Sequence, residues 1–302
     1  MNIKRIGEHG IVSLVEVMGS DTTIEESARV SFGTENGKIR QSNQRDLLRY
    51  LVRHNHSSPL EMGEVRFYLK MPIFVMRQLV RHRTASINEV SGRYKELPDE
   101  MFVPELDDIK AQSKDNKQGR GDDLSDDDKA TTMQIIKRWN KAYYSVYQSL
   151  LGISEAAIEE KFPGIAKELA RVVLPLSTYT ELYWKCDLKN FLHMIRLRTD
   201  PHAQKEIRDF ADAMYKMVKP HFPIVCEAWE DYVRDSVTFS KQEAQLLAKI
   251  LSLGVLESYD MEMDENKEGF SRDFKLSKRE YQEFISKWDK MNKMLQELGD
   301  IQ

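Results

Sequence analysis

The chain has few cysteines and no long hydrophobic run, and each shortage excludes a class of protein. Its 302 residues include two cysteines, Cys186 and Cys226, which are too few for a disulfide framework and are not spaced like metal ligands. No segment approaches the roughly 20 apolar residues of a membrane span. The first residues do not include an apolar run flanked by small residues, so we predict no signal peptide. We therefore expect a cytoplasmic protein with no membrane partner.

The chain as a whole also lacks an excess of positive charge. The net charge is −4 and the pI is about 6.0, so there is no general basic field of the kind that attracts nucleic acid. Hydrophobic residues make up 41% and charged residues 31%, as in soluble globular proteins, and the length fits one large domain or one domain with an extension. We expect no nucleic-acid partner, and any site for an anion must be a local cluster.

Residues 81–94, which read RHRTASINEVSGRY, form such a cluster. Three arginines, a histidine, two serines, an asparagine and a tyrosine surround a single acid, Glu89. Arginine side chains match phosphates and planar acceptor groups with two parallel hydrogen bonds, so this composition indicates a site for a phosphate and a heterocycle. A solvated basic helix end followed by a turn is the alternative interpretation, and composition does not exclude it.

The segment before this cluster predicts an amphipathic helix over residues 72–82. At 100° per residue its apolar side chains fall in one arc: Ile73, Val75, Met76, Leu79 and Val80. The opposite arc carries no acid, whereas an ordinary solvent face usually mixes charges: Arg77, Gln78, Arg81 and His82. Arg83 would project onto the apolar side, so we expect the helix to end near it.

Nucleophilic and metal chemistry are weaker hypotheses. Ser86 or Ser91 could pair with His56 or His82, but no GxSxG elbow occurs, and serines in a polar loop are more often hydrogen-bond donors. A metal site at three neighbouring side chains has no further ligand at a recognisable spacing: His54, His56 and Glu61. The Gly119-x-Gly121 pair follows no strand, so we reject a dinucleotide fingerprint and predict no metal.

The rest of the chain predicts a mixture of strands and helices. Strands are predicted over 11–18, 65–69 and 178–185. Helices are predicted over 21–28 (capped by Asp21 or Thr22), 41–55, 128–151, 154–162, 164–173, 187–197 and from Asp200-Pro201 to about Val218. Residues 103–130 predict a long surface loop or mobile flap. From about Ser236 onward the chain is highly charged, and helical propensity is high near its end.

A second basic group lies on the predicted helix over 187–197. Its apolar stripe is flanked on one side by Lys189 and His193 and on the other by Arg198. These side chains could form a plain exposed face. If the fold brings them near Arg81 together with Arg171, they would double the positive charge available to an anion. Because Arg198 lies across the stripe, one helix would not easily present all three to one small ligand.

Residues 81–94 resemble, at every fixed position, the signature of the flavin-dependent thymidylate synthases: RHR, two free residues, S, one free, NE, one free, S, one free, RY. Further blocks resemble that family in its order: SARVSFG (27–33), HSSPLEM (56–62), PIFVMRQLVRHR (72–83), ARVVLP (170–175), YTELYW (179–184) and LRTDPHAQKEIR (197–208). The similarity spans about residues 10–235. We therefore expect a catalytic domain over 1–235 and a charged helical extension of unknown role over 236–302.

The resemblance implies an enzyme that reductively methylates C5 of dUMP to give dTMP, in de novo dTMP biosynthesis. The carbon would come from 5,10-methylenetetrahydrofolate and the electrons from FADH2, with NADPH regenerating the flavin. The resemblance implies an α+β fold whose central, largely antiparallel sheet is surrounded by helices. It also implies a homotetramer with active sites at subunit interfaces, small-molecule substrates, and no covalent enzyme nucleophile.

The resemblance assigns roles to residues of this sequence. Arg198 matches the catalytic arginine at the uracil edge, where a guanidinium favours loss of the N3 proton. Positions that bind dUMP are matched by Gln78, Arg81, Glu89, Ser91, Gly92, Arg93, Arg171 and Arg198. Positions that contact FAD are matched by Ser58, Glu61, Arg81, His82, Arg83, Glu89, Asp187, Lys189 and His193, while His56 matches a ring near flavin and folate.

Four positions depart from the pattern common in that family. Asp187-Leu188-Lys189 stands where the family often has Asn-x-Arg, Leu79 where it has Trp, and Met62 where it has His. Lysine keeps the charge of arginine but does not present its planar fork, so we expect altered flavin contacts and the same reaction. A non-catalytic nucleotide- or RNA-binding protein is the rival hypothesis, and its binding would fall steeply with salt and need no flavin.

Overall fold

The computed structural model describes residues 2–32, 43–114, 118–244 and 284–290. The chain divides into two compact units, Met1–Arg234 and Asp235–Gln302. The first unit contains all the elements numbered below. None of the helices in the described ranges is both long enough and apolar enough to cross a membrane.

A five-stranded antiparallel sheet forms the centre of the first unit. The strands in chain order are β1 (Asn2–Ile6), β2 (Gly10–Met18), β3 (Glu64–Pro72), β4 (Ser86–Glu89), β5 (Lys110–Gln112), β6 (Arg120–Asp123) and β7 (Tyr179–Asp187). The spatial order of the large sheet is β1-β2-β3-β7-β4, and β5 and β6 form a separate antiparallel pair. The predicted antiparallel sheet and the three predicted strands, β2, β3 and β7, are confirmed.

The central strands alternate because one face of the sheet is buried. In β3, Val65, Phe67, Leu69 and Met71 are buried, and the residues between them are more exposed. Phe67 lies opposite Trp184 of β7. These side chains join one core cluster with the helices that pack on this face. The core thus fixes the register of β3 against β7.

Nine α-helices surround the sheet within the described part of the first unit. They are α1 (Asp21–Arg29), α2 (Gln44–Arg53), α3 (Ile73–Leu79), α4 (Asp126–Leu150), α5 (Glu155–Glu159), α6 (Lys167–Ala170), α7 (Leu188–Arg198), α8 (Lys205–Val218) and α9 (Pro223–Trp229). Shorter 3-10 turns occupy Val30–Phe32, Ser58–Met62, Leu106–Asp108, Arg171–Val173 and Lys219–His221, and a π-helical turn occupies Glu230–Arg234. Both α7 and α8 pack on the sheet and on each other. The predicted helices are confirmed with shifted ends; residues 41 and 42 of one prediction lie outside the described residues.

The cap of α1 was predicted wrongly. Ser20 is the N-cap, and Asp21 instead accepts backbone hydrogen bonds from Ile224 and Val225, at 2.7 and 3.2 Å. These N–H groups belong to the unpaired first turn of α9, which Asp21 satisfies across the fold. Burial raises the pKa of the Asp21 carboxyl, although the two N–H donors act in the opposite direction.

Two further boundaries differ from the prediction. Asp200-Pro201 does not start α8, because Asp200 accepts the backbone N–H of His202 at 2.8 Å in a tight turn, and the helix begins at Lys205. The segment 103–130 is not a plain loop, since it contains a 3-10 turn, β5 and β6 and the start of α4. Ser125 caps α4 by accepting the N–H of Asp128 at 3.1 Å.

The second unit contains a small packed cluster. Phe284 and Trp288 are buried on a helix that covers residues 284–290, and Phe239 packs against Phe284 with ring centroids 6.2 Å apart. Lys287 forms an ion pair with buried Glu243, Nζ to Oε1 at 2.6 Å. The helix predicted near the chain end is confirmed over 284–290, and its other residues lie outside the described residues.

Candidate active site

The C-terminal ends of α3 and α7 meet at His82. After α3 the chain turns, and the backbone N–H of His82 donates to the carbonyl of Leu79 at 3.1 Å. This turn points the imidazole at α7, where Nε of Arg198 donates to Nε2 of His82 at 3.0 Å. The ring of His193 lies edge-on to the same imidazole, with centroids 6.2 Å apart. The fold therefore joins the two basic clusters that are separated in sequence.

This environment keeps His82 neutral. Burial, together with the nearby charges of Arg198 and His193, lowers the pKa of His82 from its ordinary value of 6.5 to about 4. Because Nε2 accepts the hydrogen bond from Arg198, the proton of the neutral ring is assigned to Nδ1. Burial also lowers the pKa of the Arg198 guanidinium. One side of Arg198 is thus held by a neutral acceptor.

His193 and Arg198 reach one group within a single chain. They are five residues apart, which places them about 140° apart around a helix, on opposite sides of the apolar stripe. His82 lies between them and contacts both. His193 and Arg198 therefore approach the same group although they flank opposite sides of the apolar stripe, and a second subunit is not needed to bring them together. Lys189 is different, because α7 is about 15 Å long and Lys189 lies near its other end.

The Ser91–Arg93 turn is shaped by Gly92. A Cβ added at Gly92 would lie 3.2 Å from Cδ of Arg171 and 3.2 Å from Cδ1 of Leu97, so the absence of a side chain lets the Arg171 stem pack closely. The hydroxyl oxygen of Ser91 accepts the backbone N–H of Arg93 at 3.3 Å. Arg171 follows Gly92 by 79 positions in sequence (171 − 92) yet packs against this turn. These predicted dUMP-binding residues are brought together.

Glu89 occupies the edge of the sheet beside this turn. Strand β4 pairs with β7, and all four of its side chains are exposed. The hydroxyl of buried Thr180 donates to Oε1 of Glu89 at 2.5 Å, and the N–H of Val90 donates to the carbonyl of Glu181 at 2.8 Å. The carboxylate of Glu89 is therefore held in place with its second oxygen available.

The start of α7 carries another group of predicted residues. Asp187 is the N-cap: Oδ1 accepts the backbone N–H of Asn190 at 2.8 Å, and Oδ2 accepts its side-chain amide at 2.6 Å. The N–H of Leu188 donates to the carbonyl of Gly63 at 2.8 Å, so the 3-10 turn with Ser58 and Glu61 lies against this helix end. Asp187 is positioned here as a cap with both oxygens engaged.

Two arginines of the signature form no ion pair with an acidic side chain in the described part of the chain. Arg81 and Arg83 are exposed and form no ion pair with any described residue. Arg93 contacts Glu168, Nε to Oε2 at 3.1 Å, but both side chains are more than half exposed, so this pair contributes little. His56 is exposed and packs against Tyr50 with ring centroids 5.5 Å apart.

Sequence reasoning missed Gln204, Glu168 and Thr180, each of which contacts a predicted site residue. Nε2 of Gln78 donates to Oε1 of Gln204 at 2.6 Å. Gln204 lies in the LRTDPHAQKEIR block, which is the one signal that could have identified it. Across the described residues, no cluster of three or more histidine, cysteine, aspartate or glutamate side chains is arranged to hold a metal ion.

The chain thus combines an antiparallel α+β fold with arginine side chains beside a neutral imidazole, an arrangement suited to anionic ligands. A family model described as Thymidylate synthase complementing protein matches residues 13–224. The chain is 41% identical over 248 residues to the flavin-dependent thymidylate synthase of Ehrlichia ruminantium (strain Gardel), covering 82% of this chain and 80% of that protein. It is 43% identical over 233 residues to the flavin-dependent thymidylate synthase of Gluconobacter oxydans, covering 77% and 74%. The chain belongs to the flavin-dependent thymidylate synthase family and is an enzyme.

A solved structure agrees with this assignment. The UMP/dUMP methylase PolB from Streptomyces cacaoi, bound with 5-Br UMP, superposes with a TM-score of 0.65 at 33% identity, covering 74% of this chain and 95% of that one. The resemblance that was based on residues 81–94 is confirmed.

Proposed function

We propose that this enzyme converts dUMP to dTMP by reductive methylation of uracil C5. The carbon comes from 5,10-methylenetetrahydrofolate, and FADH2, regenerated by NADPH, is the reductant. The observation that carries the proposal is the meeting of the 81–94 signature with α7, where His82 contacts both His193 and Arg198. Relatives named for a flavin-dependent synthase and a neighbour that methylates UMP and dUMP support the same reaction.

The residues of this chain fit FAD. The ligand combines a pyrophosphate with a flat ring system, which calls for cationic donors and flat side chains. Arg81 and Arg83 offer exposed guanidinium groups, and His82 and His193 offer rings. When bound, the flavin supplies the hydride that reductive methylation requires. At the other end of α7 we assign Ser58, Glu61 and Lys189 to the flavin, and His56 to a position near flavin and folate.

Asp187, which the resemblance assigns to the flavin, also caps α7. Each of its carboxylate oxygens accepts one hydrogen bond from Asn190, which fixes the orientation of the carboxylate. We propose that Asp187 contributes to flavin binding through the helix end that it caps. Lys189, two residues later and half-buried, then supplies the positive charge of that end.

The nucleotide site is proposed around the Ser91–Arg93 turn. Ser91, Gly92, Arg93 and Arg171 lie together there, and two of them are guanidinium donors suited to a phosphate. The remaining assigned residues are Gln78, Arg81, Glu89 and Arg198. Glu89 is an acceptor for a ligand hydroxyl or amide, since Thr180 engages one of its oxygens.

Arg198 is the proposed catalytic residue. A guanidinium placed at the uracil edge stabilises the anion that forms when N3 loses its proton. Because His82 is neutral, it takes the Nε–H of Arg198 without adding a second positive charge beside it. The terminal nitrogens of Arg198 make no hydrogen bond to any described residue, so they remain to serve the substrate.

A homotetramer with active sites at subunit interfaces is also part of the proposal. The surface of α4 carries an apolar stripe at spacings of four, four and three residues, exposed by 41–55%: Ile135, Trp139, Tyr143 and Val146. Exposed apolar patches of this kind mark interaction sites. Trp139→Glu should shift the mass measured by light scattering to a smaller species, whereas Trp139→Phe should not. An unchanged mass for Trp139→Glu would count against this interface.

We place the catalytic domain at 1–235, the accessory extension at 236–302, and the enzyme in the cytoplasm without a nucleic-acid partner. The family model lies within the first of these segments, at 13–224. The net charge of −4 supports the absence of a nucleic-acid partner. Binding to RNA that falls steeply with salt and needs no flavin would contradict this part of the proposal.

The test is an assay of the full chain loaded with FAD. We expect a yellow protein that forms dTMP from dUMP, methylenetetrahydrofolate and NADPH, with UMP measured in parallel as an alternative substrate. Arg198→Ala should remove most of kcat with a smaller effect on dUMP affinity. Arg5→Ala is the matched control, since Arg5 is an exposed arginine on β1, at the opposite edge of the sheet from β4. Failure to bind FAD, or no dTMP from the FAD-loaded protein, would refute the function.

A further inference from the structure

A side chain with no assigned role contacts one of the residues proposed to bind the nucleotide. Nε2 of Gln78 donates to Oε1 of Gln204 at 2.6 Å, across 126 residues of sequence. A glutamine amide carries two N–H donors and one carbonyl acceptor on a freely rotating end. Once one N–H of Gln78 is bound to Gln204, the direction of its carbonyl and of its second N–H is set.

Gln204 stands at a fixed point of the fold. It is the N-cap residue of α8, and its carbonyl accepts the backbone N–H of Arg208 at 3.2 Å. The side chain of Gln204 is exposed, so its only described contact of this kind is the one to Gln78. The backbone of Gln204 is therefore held by the start of α8, and its side chain is available to orient the amide of Gln78.

The first turn of α8 is itself tied to the β5–β6 hairpin. Glu206 is 7% exposed and forms an ion pair with the more exposed Arg120 of β6. Arg120 also lies 3.5 Å from Asp108, Nη1 to Oδ1, and Lys205 lies 3.2 Å from the same carboxylate, Nζ to Oδ2. The second oxygen of Glu206 has no hydrogen-bond partner among the described residues, so Arg120 is its main compensation. Losing Arg120 would leave a buried charge unpaired.

We infer that Gln204 is a positioning residue for Gln78, and that the Arg120–Glu206 pair holds the helix start that carries it. Gln204 sets which atoms of the Gln78 amide face the nucleotide and does not itself touch the ligand. The inference rests on the proposed function, because the ligand of Gln78 is taken to be dUMP. It extends the nucleotide site to the β5–β6 pair, which lies outside the 81–94 signature.

The first experiment compares two substitutions of equal length at Gln204 in the FAD-loaded enzyme. Gln204→Met removes the acceptor, and Gln204→Glu keeps an oxygen that can accept from Gln78. One neutral hydrogen bond corresponds to a change of roughly two- to tenfold in binding. We expect KM for dUMP to rise by that factor in Gln204→Met, with kcat and the affinity for FAD little changed, and Gln204→Glu to restore most of the loss.

A double-mutant cycle decides whether Gln204 acts through Gln78. If it does, Gln204→Met should have no further effect on KM in a Gln78→Met background. Equal effects in both backgrounds, an unchanged KM in Gln204→Met, or equal losses in the Met and Glu variants would each overturn the inference. Wild-type enzyme that forms no dTMP would instead overturn the proposed function, so the two failures are distinguishable.

The hairpin is tested by Arg120→Met, with Arg120→Lys as the variant that retains charge. We expect Arg120→Met to raise KM for dUMP in the wild-type background and to have little effect in Gln204→Met. Circular dichroism of both variants checks that the overall helix content is retained. An Arg120→Met variant that folds and raises KM equally in the two backgrounds would show that the hairpin does not act through Gln204.

Discussion

The contact between His82 and Arg198 can be changed without removing the arginine. His82→Phe keeps a flat ring and removes the acceptor of the Arg198 Nε–H, whereas His82→Gln keeps a neutral acceptor. A hydrogen bond to a charged group stabilises by about 1.5–3 kcal/mol, which corresponds to about 10- to 100-fold in the population of the held orientation. Since Arg198 is only partly buried, we expect the lower end. kcat should fall about tenfold in His82→Phe and recover in His82→Gln.

A third variant separates orientation from charge. His82→Glu would hold Arg198 at least as firmly, because a carboxylate accepts from a guanidinium more strongly than a neutral ring does. The negative charge would also offset the positive charge that we propose stabilises the N3 anion. We therefore expect His82→Glu to have a lower kcat than His82→Gln. All three variants are assayed at saturating FAD, so that lost flavin affinity does not enter kcat.

The pKa of His82 gives the same reasoning a second test. In the unfolded chain this imidazole takes up a proton near pH 6.5, whereas in the folded protein it does so only near pH 4. Between these values the unfolded state binds more protons, so stability rises with pH. The contribution of His82 to the free energy of unfolding is therefore complete above pH 6.5 and is lost as pH falls toward 4. Urea unfolding should depend less on pH in His82→Gln than in wild type.

The protonation can be observed directly by NMR. The protein has seven histidines, and the His82 signal is identified by its absence from the His82→Gln spectrum. A midpoint near 6.5 for this signal would refute the reasoning, because the ring would then be neither shielded nor close to Arg198 in solution. Wild-type kcat in His82→Phe would refute the orienting role even if the midpoint lay near 4.

Three other predictions follow from the geometry. Gly92→Ala places a Cβ 3.2 Å from both Arg171 and Leu97, so KM for dUMP should rise several-fold with little change in Tm; equal KM values would contradict the close packing. Asp187→Ala removes the cap of α7 and should cost about 0.5–2 kcal/mol of unfolding free energy in urea, whereas Asp187→Asn should cost less. Deleting Asp235–Gln302 should leave dTMP formation intact, and loss of activity from a folded truncation would give the extension a catalytic role.

The spacing of apolar residues predicted those strands and helices that bury one face in the core. Strand β3 alternates because one of its faces is in the core, and α7 repeats its apolar residues because one stripe is buried. Strand β4 could not be found in this way. All four of its side chains are exposed, and its extended state comes from pairing with β7, which is distant in sequence. β1 was missed for a related reason, since its side chains are mainly exposed.

The misplaced helix starts have a common cause, which is that the side chain predicted to begin the helix forms a different hydrogen bond. Asp21 has the chemistry of an N-cap, but its carboxylate serves the first turn of α9. Asp200-Pro201 has the chemistry of a helix start, but Asp200 closes a turn with His202. The contacts of Gln78 with Gln204 and of Glu89 with Thr180 likewise span 126 and 91 residues. Such pairs depend on the tertiary arrangement of distant elements, which local sequence patterns do not reveal.

The neutrality of His82 explains how a chain of net charge −4 can present a cationic site. An arginine in a folded protein is usually held by a carboxylate, which cancels much of its charge. Here Arg198 is held by an imidazole whose pKa is far below neutral pH, and Arg81 and Arg83 pair with no described acid. Some acids of the described residues are engaged in ion pairs away from His82, such as Glu206 with Arg120. The guanidinium groups of Arg81, Arg83 and Arg198 therefore keep their positive charge without an ion pair to any described carboxylate.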